Sequence, residues 1–113
     1  MKTKDTRPLL VDFEVHVGDS PELKKELIEC MIIDMCELQQ SLEPAAIKNG
    51  LDAYRKTCHK IVGTLSLLND SELINAIEAL KNQNNDLNII LLKKLSNDIV
   101  KSLTAALEMI NDG

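Results

Sequence analysis

Few side chains in this sequence could do chemistry: two histidines, His16 and His59, and three cysteines, Cys30, Cys36 and Cys58. Neither histidine has a helix-spaced ligand partner, no acid pair converges on either, and the cysteines lack zinc spacing, so metal and hydrolytic chemistry are disfavoured and no metal is expected. His59 stands out by its setting in CHKIVGTLSLLND, Cys58 to Asp70. The stretch reads as helix, yet it holds Gly63, and a glycine inside a helix costs about 1 kcal/mol relative to alanine. With His59 at zero and about 100° per residue, Ile61, Leu65, Leu68, Tyr54 and Thr57 fall between about 160° and 240°. Arg55, Gly63 and Ser66 fall within about 40° of the histidine. His59 is therefore expected on the wet face, with a cation one turn before it and a missing side chain one turn after it. Gly63 then clears space beside an imidazole that another protein must reach. The plainer alternative is a surface histidine followed by an incidental or helix-packing glycine.

The elements that would position this residue follow from composition and patterning. The 113 residues carry a formal charge of −5, with one Tyr, one Phe and no Trp. Leu, Ile, Ala, Lys, Glu and Asn dominate, so one all-α domain is expected. The acidic balance, with no basic stripe and few aromatics, argues against nucleic acid as a partner. Apolar runs fall far short of the roughly 20 residues that cross a bilayer, and Met1 to Arg7 leads into no signal-like hydrophobic region, so membrane insertion is not expected and a cytoplasmic location is. The cysteines read as reduced thiols in apolar helical patterns.

Residues 1–8 form a polar, basic linker or tail, and residues 9–113 the domain. From Val11 to Val17 apolar and polar residues alternate, which suits a short extended or helical strap, with His16 on its polar side. A first long helix is expected from Pro21 to Ser41, opened by Asp19 or Ser20 as N-cap and stopped before Pro44. Met31, Ile32 and Ile33 cannot all face one core, so one or two of them should be partly exposed. A short turn closed by Asn49 and Gly50 precedes a helix from Leu51 to Leu68, which ends on Asn69 in the left-handed cap conformation. Asp70 or Ser71 caps the next helix, with Leu73, Ile74, Ile77 and Leu80 on its apolar face. A last long helix follows, with Leu87, Ile90, Leu91, Leu95, Ile99, Leu103, Leu107 and Ile110 on its apolar face. The architecture expected is an antiparallel, up-down four-helix bundle with an N-terminal strap.

From Val11 to Leu80 the chain resembles the histidine-containing phosphotransfer (HPt) family, whose pattern is H-x-x-K-G, then an apolar position, a helix-ending glycine and a later leucine. His59, Gly63, Leu68 and Leu73 match the pattern; VGDSPELKKELIECMIIDM is similar to the family's first long helix, and LDAYRKTCHK to its approach to the histidine. Asn69 stands where glycine is usual, which is benign, and Val62 stands where a lysine beside the phosphoryl oxygens is usual. The resemblance implies a phosphocarrier, not an independent enzyme. Its partners would be response-regulator receiver domains and a hybrid histidine kinase, with the distal nitrogen of His59 accepting the phosphoryl group and Mg²⁺ supplied by the receiver. The chain itself would need no cofactor and act as a monomer. The competing reading keeps the bundle but makes it a transfer-inactive interaction module.

If Val62 cannot neutralise a phosphoryl group, another cation must. A hairpin turning at Asn69 and Asp70 puts Lys81 level with His59, so Lys81 and Arg55 are expected to make the charge-assisted contacts. Lys60 is a third candidate, less well aimed, as is Lys56. Gly63, Val62 and Ser66 form the expected docking surface, with Val62 extending an apolar patch beside the ring.

Overall fold

The computed structural model describes residues 8–47 and 50–112, all helix, turn or loop with no strand among them. The basic lead-in Met1 to Arg7 and the expected cap at Asn49 lie outside the described residues. The helices are α1 (Phe13–Val17), α2 (Pro21–Gln40), α3 (Pro44–Ile47), α4 (Asp52–Lys60), α5 (Val62–Leu68), α6 (Ser71–Asn82) and α7 (Asp86–Asp112). None of the described helices is long and apolar enough to cross a membrane.

Local chemistry sets most of these boundaries. The alternating segment near the N-terminus is a helix, because the Asp12 carboxylate accepts from the Glu14 and Val15 backbone N–H groups at 3.1 and 3.3 Å and nucleates a turn. Ser20 caps α2 by accepting from the Leu23 N–H at 3.2 Å, with Pro21 in the first turn. Asn69 ends α5 at φ 51°, ψ 38°, the left-handed conformation that asparagine tolerates. Asp70 then caps α6, its carboxylate accepting from the Leu73 N–H at 3.0 Å. Asn85 does the same for α7 through the Asn88 N–H at 2.9 Å.

The core draws on every long element. Ile28, Met31, Met35 and Leu38 of α2 meet Tyr54 and Cys58 of α4, Leu65 and Leu68 of α5, Leu73, Ile77 and Leu80 of α6, and Leu92, Leu95, Ile99 and Leu103 of α7. Met31 is fully buried, Ile32 partly so, and Ile33 faces out. On α7 the apolar face differs from the one expected: Leu92 enters the core, while Leu87, Ile90 and Leu91 are exposed. The segment LNIILL is apolar almost all round, so its periodicity does not choose a face; packing against α2 and α6 does.

Two polar ties join α2 to the His59 region. The buried Thr64 hydroxyl donates to the Asp34 carboxylate, and the Lys60 ammonium pairs with Glu37 at 3.0 Å. On the other side the buried Tyr54 hydroxyl donates to the Ile77 carbonyl at 2.8 Å, so α6 returns alongside α4. Burial, with Cys58 and Glu78 nearby, pushes the Tyr54 hydroxyl far above its ordinary range.

Candidate functional site

His59 lies in the last turn of α4, one residue before the helix ends. The single helix expected from Leu51 to Leu68 is two helices, interrupted at Ile61, whose φ of −98° and ψ of 16° lie between the helical and extended regions. Ile61 is buried, its N–H reaches the Thr57 carbonyl at 3.0 Å, and its own carbonyl accepts from Leu65 at 3.1 Å, so α5 continues in nearly the same direction. The break falls at a buried residue and has no signature in residue type.

The histidine side chain is exposed, and among the described residues its ring has no hydrogen-bond or ion-pair partner. It opens on a cleft of about 450 Å³ between α4, α5 and α6. Buried Cys58, Leu65 and Ile77 form the floor of that cleft, and exposed Val62, Ile74 and Ser66 form part of its rim. Arg55, Glu78 and Lys81 supply its charges. Burial pushes the Cys58 thiol up, against the Tyr54 hydroxyl hydrogen bond and the Lys81 ammonium, which pull it down, and with the Glu78 carboxylate, which pushes it further up.

Gly63 sits in the first turn of α5, where its φ is not positive and an added Cβ would meet no atom within 4 Å. Nothing in the chain's own packing asks for glycine there. The space is open outward, beside His59.

The expected cations divide. Arg55 donates from Nη2 to the Lys81 backbone carbonyl at 3.0 Å, which draws Arg55 to the C-terminal end of α6. Tyr54 and Arg55, adjacent on α4, thus reach the Ile77 and Lys81 carbonyls, about one turn apart on α6. Lys81 lines the His59 cleft, its ammonium 3.1 Å from the Glu78 carboxylate. Lys60 does not line it; with Lys56 and Thr57 it borders a separate groove on the α2 side, held by Glu37. Glu78 was not anticipated from sequence, although a Glu three residues before a Lys on one helix face is the spacing of an ion pair.

The arrangement can present an imidazole nucleophile to a visiting macromolecule, with two cations within the same cleft to receive an anion. Among the described residues no group of three or more His, Cys, Asp or Glu side chains is gathered as metal ligands. Compared with protein-family models, curated proteins and solved structures, the chain matches none.

Proposed function

We propose that this chain is a histidine phosphocarrier of the HPt type, with His59 as the phosphoacceptor. The observation that carries this reading is the pairing of an exposed, unpartnered imidazole with open space at Gly63 and a cation-bearing cleft. In the cytoplasm, where the protein is proposed to act, His59 is the nucleophile of the exchange. Its Nε2 lone pair attacks the phosphorus of a receiver's aspartyl phosphate. The N–P bond forms as the anhydride O–P bond breaks, the receiver carboxylate leaves with the electron pair, and the proton stays on Nδ1. The same step run backward passes the group to a second receiver. Position and charge do most of the work in such transfers. Arg55 and Lys81 contribute the charge here; Mg²⁺ and the acidic pocket belong to the receiver.

In this reading α2, the α4–α5 pair, α6 and α7 are the four legs of an antiparallel bundle, α1 is its strap, and the chain works as a monomer. Receiver domains and a hybrid histidine kinase are its partners. Val62, Ser66 and Gly63 form the docking rim. A second reading, a bundle that binds receivers without taking phosphate, is favoured by one observation: exposed Val62 occupies the place of the family's lysine.

The test is transfer from phosphorylated receiver domains of the same genome. The carrier reading expects acid-labile label on the wild-type chain and none on His59→Gln. Receiver binding without label in either chain supports the interaction module, and label retained by His59→Gln refutes the carrier.

A further inference from the structure

We infer that Glu78 is a counter-charge that weakens the hold of the His59 cleft on a phosphoryl group and so biases the exchange toward the receiver. The inference rests on the carrier reading and adds a residue to it. Lys81 is one of two cations lining the cleft, and in this structure its ammonium is held by Glu78 at 3.1 Å. The other, Arg55, spends one guanidinium nitrogen on the Lys81 carbonyl. Glu78 lines the same cleft as His59. A phosphoryl dianion on Nε2 must therefore draw Lys81 away from Glu78 while facing that carboxylate itself. With valine at position 62, the lysines of the histidine's own helix, Lys56 and Lys60, border the groove on the α2 side and do not line this cleft.

The consequence is directional. In the outward step the Nε2–P bond breaks, the imidazole keeps the electron pair with its proton on Nδ1, and a P–O bond forms to the receiver aspartate. Glu78 raises the free energy of the phosphohistidine side of that exchange and leaves the receiver's phosphoaspartate untouched once the two proteins part. It acts through Lys81 and the local field, as a positioning residue. Its side chain is 58% exposed, so salt should screen the effect.

The experiment measures the partition of label between chain and receiver, and the lifetime of isolated phosphohistidine, for wild type, Glu78→Gln, Lys81→Met and the double variant. For one charge at ion-pair range in a wet cleft, Glu78→Gln should shift the partition toward His59 about fivefold. The shift should shrink at molar salt and in the Lys81→Met background. Circular dichroism should be unchanged, since Glu78 is exposed. If wild type and Glu78→Gln take label with equal partition and lifetime, the Glu78 inference is wrong while the carrier reading stands. A shift that persists undiminished at molar salt also overturns it. If no variant takes label on His59, both fall together.

Discussion

Replacing Gly63 should strengthen the fold while it weakens the transfer. At Gly63 a new Cβ meets nothing within 4 Å and φ is not positive, so alanine adds no clash and removes conformational freedom from the unfolded chain. The gain expected is about 0.4–1 kcal/mol, toward the lower end because the residue lies in a first turn. For a domain near 100 residues that is an increase in Tm of roughly 2–6 °C. Function should move the other way. A phosphoryl transfer needs its reacting atoms within about 3–3.5 Å, and a misplacement of 1 Å costs on the order of 10²-fold in rate. Alanine should therefore slow receiver-to-His59 transfer measurably, and Gly63→Leu should slow it by about that factor with the melting temperature held at or above wild type. Thermal unfolding by circular dichroism, paired with a single-turnover transfer assay, reads both quantities. A Gly63→Ala chain that melts lower would mean that the glycine serves the chain's own packing. A Gly63→Leu chain with unchanged transfer would mean that nothing approaches the face beside His59.

Further outcomes follow from the same geometry. Tyr54→Phe removes the hydrogen bond to the Ile77 carbonyl that ties α4 to α6, and should lower stability by about 0.5–1.5 kcal/mol in denaturant titrations. Tyr54 and Cys58 are acids whose folded pKa values are raised, so the stability they contribute is complete below their unfolded pKa values and is lost as pH rises above them. Melting temperature should accordingly fall from about pH 8.5 to 10 upward, and Tyr54→Phe should flatten the upper part of that decline. Met31→Ala, at a fully buried site of α2, should cost about 2–5 kcal/mol. A thiol reagent should modify exposed Cys30 well before buried Cys58, as peptide mapping would show.

Short-range signals in the sequence were reliable guides to this fold. Ser20 with Pro21, Asn69 and Asp70 mark helix ends by side-chain chemistry that needs no distant partner, and each does so in the structure. The outward aim of His59 follows from helical periodicity, because the stripe from Tyr54 through Ile61 to Leu68 buries the opposite side. Features set by packing between elements were not legible. The interruption at Ile61 has no signature in residue type, and the contacts by which Tyr54 and Arg55 reach α6 carbonyls depend on how the two helices pack. Lys60, about 100° round the helix from His59, pairs instead with the Glu37 carboxylate on α2, and in a uniformly apolar stretch Leu92 displaces Leu91 from the core. Glu78 could have been found by its spacing from Lys81, but only the fold brings that pair to the histidine.

Phosphate carriage by this chain requires His59 to be a nucleophile that an outside phosphate donor can reach. Site mapping by mass spectrometry under alkaline conditions, after exposure to each phosphorylated receiver of the same genome, tests this most directly. One phosphoryl group is expected on His59, none on the likewise exposed His16, and its loss on brief acid treatment. Modification of both histidines alike, or of neither by any receiver, would contradict it.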